Sequence, residues 1–209
     1  QQVAPSAQLM DLHELIENLP LRDVDAYKNQ FGHSMVIGGD HSFGGAAMMA
    51  AEAALRTGSG LVSMATRPVH VAGALARQPE VMVSGIISGQ ELEPLLDKPS
   101  VLIVGPGLGR SPWSEQLLQK AVATGLPMLV DADALNIIAE GRVVPKPQGS
   151  GWIMTPHPAE AARLLNISVA EVQADRFAAV RQIQEKYNAV VLLKGAGTLI
   201  AAPDDKVIA

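Results

Sequence analysis

Glycine-rich and polar clusters that could bind a ligand follow five segments with a β-strand pattern. The clusters are His41 to Gly45, Gly105 to Gly109, Asp131 to Asn136, Thr155 to His157 and Lys194 to Thr198. In open α/β sheets, ligands bind at the carboxyl ends of the strands, where the connecting loops meet. Five such clusters at five strand ends therefore predict one large binding site.

Two of these clusters are glycine loops suited to phosphate. The loop Gly105-Pro-Gly-Leu-Gly109 lets the backbone approach a ligand and leaves amides free to face it. Its spacing differs from the dinucleotide-binding pattern, and a tight turn that only relieves steric strain is the alternative. The loop Lys194-Gly-Ala-Gly-Thr198 adds a lysine and a hydroxyl donor. Its alternative is a hairpin turn between two strands, with the lysine in solvent.

Two other clusters carry carboxylates and an imidazole. Asp133 is placed to cap a helix, whereas Asp131, at the end of a buried strand, needs a partner, a metal or a substrate. For Asp131 and Asn136, binding of Mg²⁺ with phosphate is one interpretation and a structural hydrogen-bonding set is the other. Two prolines hold His157 in a stiff loop, which favours ligand contact, although Pro158 also suits the first position of a helix.

Gly44 and Gly45 begin a predicted helix that is rich in alanine and methionine. The amides of its first turn would form an anion site at the positive end of the helix. The alternative is close packing of the helix on the sheet, which also explains the alanines that follow.

The segments that must position these clusters alternate between strand and helix patterns. The predicted strands are 34–37, 61–65, 81–83, 101–104, 128–130, 152–154, 190–193 and 198–202. The predicted helices are 7–18, 44–57, 69–77, 91–97, 113–124, 134–140, 158–165 and 168–187, the first capped by Ser6 and the last by Ser168. Many strands are continuous apolar runs, which is typical of strands buried on both faces of a parallel sheet. The alternation predicts a layered α/β fold with right-handed crossovers.

The composition argues against several classes of function. The formal net charge is −5 and the 16 basic residues are scattered, whereas binding to a nucleic-acid backbone needs a concentrated basic face. The chain has no cysteine, which excludes disulfides, a thiol nucleophile and cysteine-based zinc sites. No apolar run approaches the ~18 residues of a membrane span, and residues 1–8 do not resemble a signal peptide. We therefore expect a cytoplasmic protein that binds neither nucleic acid nor membrane.

The domain organisation follows from the same pattern. Residues 1–7 are predicted to be a linker and residues 8–209 a single α/β domain without an internal repeat. Because the first residue is not Met, we expect a processed piece or a domain of a longer polypeptide.

Six segments, taken together and in order, resemble the dehydratase half of the bacterial NAD(P)H-hydrate repair enzymes. They are GGDH at 38–41, GGAAMMAAEAALRTGSGLVSMA at 44–65, VGPGLG at 104–109, DADALN at 131–136, TPHPAEAARLL at 155–165 and LLKGAGT at 192–198. The resemblance implies a ribokinase-like, three-layer αβα fold with a central, mostly parallel sheet. It also implies dehydration of the S form of hydrated NADH or NADPH at the expense of ADP, giving AMP and phosphate, or of ATP as in eukaryotic members.

The resemblance implies roles for individual residues and partners. The hydrate pocket would be lined by Ala46, Gly107, Gly109 and His157, with Asp131 and Asn136 in support. The phosphate end of the adenine nucleotide would be bound by Lys194, Gly195, Ala196, Gly197 and Thr198, with Mg²⁺ accompanying the nucleotide. The implied chemistry is phosphoryl transfer to the C6 hydroxyl of the hydrate, then phosphate elimination assisted by the ring nitrogen. The resemblance also suggests a homo-tetramer, and it implies that the domain is often fused behind an epimerase domain that interconverts the R and S hydrates.

One part of the family pattern is not matched. After the KGAGT strand the family carries a glycine-rich GGxGD segment, whose aspartate is the expected base. The sequence ends at Ala209 before such a segment, so no residue here is assigned a catalytic role. From this we expect the final helices to be missing, the 209-residue chain alone to be inactive, and an apolar flank to be exposed.

Two other interpretations of the sequence remain. Fold alone does not separate a dehydratase from a small-molecule kinase of the same fold, such as a hydroxymethylpyrimidine or thiazole kinase. TPHPAE and DADALN together favour the dehydratase. The third interpretation is a nucleotide-binding fragment without catalysis.

Overall fold

A nine-stranded sheet runs through the part of the chain that the computed structural model describes, residues 7–19, 21–144, 151–203 and 207–208. Its strands are β1 (His33–Ile37), β2 (Leu61–Thr66), β3 (Met82–Gly85), β4 (Val101–Val104), β5 (Met128–Val130), β6 (Trp152–Met154), β7 (Val190–Leu193), β8 (Leu199–Ala201) and β9 (Val207–Ile208). They lie in the order β3-β2-β1-β4-β5-β6-β7-β8-β9. The strands from β1 to β7 are parallel, and β8 and β9 are antiparallel to their neighbours. The central, mostly parallel sheet is therefore confirmed.

The described residues also form nine α-helices, which alternate with the strands along most of the chain. They are α1 (Leu12–Glu17), α2 (Gly44–Thr57), α3 (Val71–Arg77), α4 (Gly89–Leu92), α5 (Pro112–Ala123), α6 (Asp133–Glu140), α7 (Pro158–Leu165), α8 (Val169–Ala174) and α9 (Arg176–Tyr187). Within the described ranges, no helix has the length and hydropathy that crossing a membrane requires.

The order of the strands decides which face of the sheet each helix covers. The chain runs outward from β1 to β2 and β3, returns to the centre at β4, and then runs outward in the other direction. Because parallel crossovers are right-handed, the reversal of direction places the two sets of helices on opposite faces. Accordingly, α2 and α3 pack on one face, and the helices from α4 to α9 pack on the other. This arrangement confirms the three-layer αβα fold.

The core is built from small and aliphatic residues, as the low aromatic content predicts. The core under α2 and α3 is mostly alanine, valine and methionine, and it includes Val36, Ala47 and Met64. The larger core on the other face contains the two tryptophans, Trp113 and Trp152, both 4% exposed. Small residues let the helices approach the sheet closely, which fixes the positions of the loops between them.

The prediction that the strands are buried on both faces is confirmed for β1 and β2 and wrong for the strands from β4 to β8. In these later strands buried and partly exposed residues alternate. One row in register consists of Ile103, Leu129, Ile153 and Val190, and Ile153 is 42% exposed. These side chains are apolar although one face is open, so the sequence pattern alone did not distinguish the two cases.

Two predicted helices differ from those in the structure. The first begins at Leu12 instead of Ala7, and Asp11 caps it by accepting a hydrogen bond from the amide of His13 at 2.8 Å. Ser6, the predicted cap, lies outside the described residues. The predicted helix 168–187 is capped by Ser168 as expected, but it breaks at Asp175 into α8 and α9.

Smaller differences affect the edges of other elements. The predicted helix 69–77 begins with a 3₁₀ turn at Pro68–His70, and the predicted helix 91–97 is the short α4 followed by a 3₁₀ turn at Glu93–Leu95. The predicted strand 81–83 lies one to two residues later, and the last predicted strand, 198–202, is shortened at both ends. Such shifts are common because helix and strand ends are set by tertiary contacts.

Substitution of Gly38, which follows β1, tests how closely the loops after β1 and β4 approach each other. A Cβ atom on Gly38 would lie 2.1 Å from the carbonyl oxygen of Pro106, whereas one on Gly45 would meet no atom within 4 Å. Gly38→Ala is expected to lower the free energy of unfolding by at least about 1–3 kcal/mol, because the backbone must move. Gly45→Ala, the control, is expected to leave stability unchanged or to raise it by up to about 1 kcal/mol. Urea denaturation measures both, and equal stability of the two variants would contradict the close approach.

Candidate active site at the carboxyl ends of the strands

The loops that follow β1 and β4 meet at the centre of the carboxyl edge of the sheet. The amide of Gly39 donates to the carbonyl of Pro106 at 3.1 Å, and that of Asp40 to the carbonyl of Gly107 at 2.7 Å. β1 and β4 are the neighbours at which the strand order reverses, and ligands of open α/β sheets bind at such a point. The predicted position of the site therefore coincides with the switch point of the sheet.

Ala46 and Gly107, both expected in the hydrate pocket, are brought together here. Gly107 has a φ of +61°, and a Cβ atom on it would lie 2.4 Å from the carbonyl oxygen of Phe43 and 3.2 Å from the Cβ atom of Ala46. Glycine is therefore required for the loop after β4 to approach the start of α2. Gly44 begins α2 and packs against His70, which lies outside the sheet. Ala47 and Met48 of the same helix pack on β1 and β2, so close packing of the helix on the sheet, the alternative interpretation, is present.

Asp40 is the centre of a hydrogen-bond network that joins the three segments after β1, β2 and β4. Its carboxylate accepts from the amide of His41 at 2.9 Å, from Nε of Arg67 at 2.7 Å and from Oγ of Ser111 at 2.9 Å. Its carbonyl oxygen lies 3.1 Å from Nε2 of His70. Burial alone would raise the pKa of Asp40, but the hydrogen bonds from Arg67, His41 and Ser111 outweigh it and hold the pKa below its usual value.

Arg67 is fixed on its second side by an aromatic ring. Its guanidinium carbon lies 4.1 Å from the centroid of the Trp113 ring, and the indole nitrogen of Trp113 donates to the carbonyl of Ile86 at 3.2 Å. Sequence reasoning assigned no role to Asp40, Arg67 or Ser111. Arg67 follows β2 directly, so its position at a strand end was the available signal.

The sequence position of Asp133 suggested that it caps α6, but in the structure it does not. The N-cap position belongs to Ala132, and Asp133 instead accepts a hydrogen bond from the amide of Gly109 at 3.1 Å. Asn136 donates to the other oxygen of Asp133 at 3.1 Å and accepts from Arg163 at 2.9 Å. The carboxylate therefore ties the glycine loop after β4 to the start of α6, and Asn136 takes part in the structural hydrogen-bonding set.

Asp131 has a partner, as expected, although its side chain is 27% exposed and therefore only partly buried. Its Oδ1 atom accepts from Nζ of Lys194 at 2.8 Å and from Oγ1 of Thr155 at 2.7 Å. The side chain of Lys194 is 41% exposed, so solvent screens the pair and its contribution to stability is small. The contacts nevertheless join the ends of β5, β6 and β7. Lys194 is thus held at the site by an ion pair instead of lying free in solvent.

His157 is the N-cap residue of α7 and its side chain is half exposed. Its Nδ1 atom accepts from the amides of Ala159 at 3.0 Å and Glu160 at 3.4 Å. The carboxylate of Glu160 accepts in return from the amide of His157 at 2.8 Å, which completes a capping box. Because Nδ1 is an acceptor, the proton of the neutral ring is on Nε2. Pro158 is at the first helical position, as the structural alternative predicted.

The loop Lys194–Thr198 is a hairpin between β7 and β8, which was its alternative interpretation. Its base is tied to the previous loop, because the amide of Lys194 donates to the carbonyl of Pro156 at 2.9 Å. The guanidinium of Arg176, at the start of α9, donates to carbonyl groups of this loop. Sequence reasoning missed Arg176, because it was placed in the middle of one long helix.

The contacts described above place the predicted site residues in two groups. In the first, Ala46 packs close to Gly107, and Gly109 belongs to the same loop as Gly107. In the second, the loop Lys194–Thr198 is tied by a hydrogen bond to Pro156, the residue before His157. The segment Asp131–Asp133 connects them, since Asp133 contacts Gly109 and Asp131 contacts Lys194. One continuous set of loops is therefore available for a long ligand with an anionic group.

The side chains of the site offer few ligands for a metal ion. Among the described residues, no group of three or more histidine, aspartate or glutamate side chains is arranged to hold a metal ion. Asp131, the candidate ligand, is paired with Lys194. A Mg²⁺ ion could join this site only together with phosphate oxygens and water, which is its usual coordination in nucleotide sites.

Two cavities lie on or near the sheet. One of about 370 Å³ adjoins the first group and is lined by residues of α2 and α3, including Met48, Met49 and His70. Another of about 540 Å³ lies near the amino ends of β1 and β2, beside His33 and Ser63, and therefore away from the loops described above. Burial lowers the pKa of His33 there. We assign the ligand site to the loops, because the polar groups converge there.

Comparison with known families agrees with this geometry. A family model described as NAD(P)H-hydrate dehydratase matches residues 34–209. A bifunctional NAD(P)H-hydrate repair enzyme of Coxiella burnetii is 48% identical over 198 residues, which is 95% of this chain and 40% of that protein. One of Escherichia coli is 40% identical over 198 residues, which is 95% of this chain and 38% of that protein. The chain thus spans about two fifths of the length of these curated relatives.

Solved structures share the fold. A ribokinase-like superfamily protein of Enterococcus faecalis has a TM-score of 0.86 and 26% identity, and the match covers 100% of this chain and 72% of that one. An ADP/ATP-dependent NAD(P)H-hydrate dehydratase of Bacillus subtilis, co-crystallised with ATP and Mg²⁺, has a TM-score of 0.82 and 25% identity, covering 98% and 73%. The ribokinase-like fold expected from the sequence is confirmed.

Removal of the Asp40 charge tests the network beside the site. Asp40→Asn is expected to lower the free energy of unfolding at pH 7 by about 1–3 kcal/mol, because Arg67 loses its charged acceptor. The folded-state pKa of Asp40 is lower than its unfolded value, so protonation favours the unfolded state. The difference in the free energy of unfolding between Asp40→Asn and wild type should therefore be greatest above about pH 4 and decrease as the pH falls further.

Urea denaturation at a series of pH values measures this difference. Glu93→Gln serves as the control, because Glu93 forms an exposed ion pair with Lys120 and its loss should change stability little. A difference between Asp40→Asn and wild type that stays constant down to pH 2 would show that the charge of Asp40 is not the stabilising feature.

Proposed function

The chain belongs to the NAD(P)H-hydrate dehydratase family, and from this we propose that it uses ADP to dehydrate the S form of hydrated NADH and NADPH, releasing AMP and phosphate. The observation that carries the proposal is the convergence of two loops on one edge of the sheet. One is the glycine loop that packs against Ala46, and the other is the lysine and glycine hairpin Lys194–Thr198.

The two groups of loops correspond to the two reactants of this reaction. The pocket for the hydrate is formed by Ala46, Gly107, Gly109 and His157. The hairpin binds the phosphate end of the nucleotide through Lys194 and the amides of the glycine-rich turn. ADP/ATP dependence in the similar Bacillus subtilis enzyme supports an adenine nucleotide as the co-substrate.

The proposed reaction has two balanced steps. The C6 hydroxyl of the hydrate attacks the β-phosphorus of ADP, loses its proton, and displaces AMP. The phosphate ester at C6 then breaks its C–O bond as the ring nitrogen donates its lone pair, and loss of a proton from C5 restores the dihydronicotinamide. Such phosphoryl transfer depends mostly on positioning and on stabilising charge.

The residues of this chain supply those two requirements. Before the nucleotide binds, the ion pair with Asp131 keeps Nζ of Lys194 at the binding site. When the nucleotide binds, its phosphate attracts Nζ away from Asp131. Nε2 of His157 lies 3.4 Å from Oε1 of Glu160; in the proposed complex it offers its proton to an oxygen of the hydrate, because Nδ1 is engaged in the cap of α7. Mg²⁺ bound to the phosphates would neutralise further charge, in agreement with the donor set described above. We assign the role of the base to no residue of this chain.

The setting of the domain is part of the proposal. The curated relatives are bifunctional enzymes, and we propose that this chain belongs to a longer polypeptide with a fused epimerase domain that supplies the S hydrate from the R form. We also propose a cytoplasmic homo-tetramer. Light scattering of the full-length protein measures the number of subunits.

Restoration of NADH absorbance from its hydrate tests the reaction. The full-length protein with ADP is expected to regenerate NADH and to release AMP and phosphate in equal amounts, because each turnover cleaves one phosphoanhydride bond. A stable phosphorylated alcohol in place of NADH would indicate a small-molecule kinase instead. Nucleotide binding without turnover would indicate a protein without catalysis.

Substitution of His157 separates ligand contact from helix capping. Asparagine is a good N-cap residue but lacks the Nε2–H group, whereas alanine lacks both. His157→Asn is therefore expected to keep the melting temperature near wild type while the KM for the hydrate rises about tenfold, as for the loss of one hydrogen bond. His157→Ala should show the same KM change and also lose about 1 kcal/mol of stability. An unchanged KM in both variants would remove His157 from the hydrate pocket.

A further inference from the structure

We propose that Arg176 is a positioning residue for the nucleotide: it holds the loop Lys194–Thr198 so that the backbone amides of the loop face the phosphate. The inference rests on the proposed function, because the ligand of this loop is the adenine nucleotide. Arg176 contacts the loop from behind and does not itself touch the phosphate.

The guanidinium of Arg176 is enclosed by four carbonyl groups. Its Nη1 atom donates to Ala196 at 3.1 Å and to Gly197 at 2.8 Å. Its Nη2 atom donates to Leu193 at 3.2 Å and to Lys194 at 3.4 Å. Nε is buried and has no hydrogen-bond partner among the described residues. Both terminal nitrogens therefore donate hydrogen bonds to the end of β7 and to the hairpin that follows it.

These contacts fix the direction of the amides in the loop. In a trans peptide the N–H group points opposite to the carbonyl group, and the described residues contain no cis peptide bond. The amides that follow three of the bonded carbonyls therefore point away from Arg176. They are those of Gly195, Gly197 and Thr198. The amide that follows the fourth, that of Lys194, also points away and reaches the carbonyl of Pro156. An array of outward amides of this kind binds anions.

The charge of Arg176 adds to the same effect. Its four partners are neutral carbonyl groups, and among the described residues no carboxylate forms an ion pair with it. Lys194, in contrast, shares its charge with Asp131. The guanidinium therefore leaves positive potential behind the loop, and it polarises the peptide groups whose amides face outward.

The position of Arg176 in its helix also indicates that its role lies in its contacts with the loop. It is the first residue of α9, where the helix dipole disfavours a cation. Asp175 is the N-cap residue of the helix and accepts from the amide of Ala178 at 2.9 Å, so capping does not need the arginine. A residue that conflicts with a local preference, but makes four long-range contacts, is best explained by those contacts.

Gly195 leaves space for the guanidinium of Arg176 because it has no side chain. A Cβ atom on Gly195 would lie 2.7 Å from Nη2 of Arg176. Alanine at this position would push the guanidinium away from the carbonyl groups. The two residues are therefore expected to give the same functional change when either is substituted.

Steady-state kinetics of the full-length protein test the inference. Arg176→Ala is expected to raise the KM for ADP by up to about 100-fold, because the amides lose their alignment. The KM for the hydrate should stay near wild type, because the hydrogen-bond partners of Arg176 among the described residues lie at the end of β7 and in the nucleotide loop, not in the proposed hydrate pocket. Millimolar guanidinium chloride should restore the KM for ADP by occupying the space of the lost group. Arg142→Ala is the control: this exposed arginine pairs with Glu115 and Glu140, and its loss should change neither KM nor the response to guanidinium.

Two further variants keep the test sharp if Arg176→Ala folds poorly. Gly195→Ala should raise the KM for ADP without a response to guanidinium, because the added methyl group occupies the space. Arg176→Lys should recover only part of the affinity, since an ammonium group cannot reach four carbonyls in the fork geometry of arginine. A parallel rise in both KM values, or rescue of the melting temperature without rescue of the KM for ADP, would show a purely structural role.

Equilibrium dialysis with ADP distinguishes failure of this inference from failure of the proposed function. Wild type that binds no ADP would overturn the proposed function and the inference together. Wild type that binds ADP, with Arg176→Ala binding it equally well, would overturn the inference alone. Weaker binding by Arg176→Ala and Gly195→Ala, but not by Arg142→Ala, is the expected result.

Discussion

The backbone contact between the loops after β1 and β4 is the constraint on which the site depends. These strands are neighbours in the sheet but distant in the chain, so their loops diverge to helices on opposite faces and leave a crevice between them. The contact leaves no room for a side chain at Gly38 or Gly107. This close approach brings Ala46 against the glycine loop. The glycines at both positions are therefore explained by packing, and the proposed function would use the same close approach.

Carboxylates then connect the loops to one another. Asp40, Asp131 and Asp133 each accept hydrogen bonds from a loop that follows a different strand. A carboxylate at a buried strand end is costly unless it is satisfied in this way. The acidic residues of the site thus mainly connect loops to one another, and in the proposed function the groups that face the ligand are amides, Lys194 and the ring of His157. This division suits phosphoryl transfer, in which the protein contributes position and positive potential.

Much of the fold was predictable, because strand and helix patterns are local. The boundaries of β4, β5, β6, β7, α2 and α7 agree with the sequence pattern, and the clusters at the strand ends do lie at one edge. The partners of the polar residues were not predictable. Asp133 has the sequence position of a cap, yet its acceptor role toward Gly109 depends on a loop 24 residues away. The half-open face of the strands from β4 to β8 was missed because its side chains are apolar.

The break at Asp175 shows why such partners escape a local pattern. In one continuous helix over 168–187, Arg176 would lie in the middle, about two turns from Ser168, and it would be read as a solvated surface residue. The break makes Arg176 the first residue of α9 instead, from where its side chain reaches the end of β7. The break ends α8, and Arg176 makes its four carbonyl contacts from the first position of α9. A local irregularity in the helix therefore allows the contacts that, as we propose, align the amides of the loop with the phosphate.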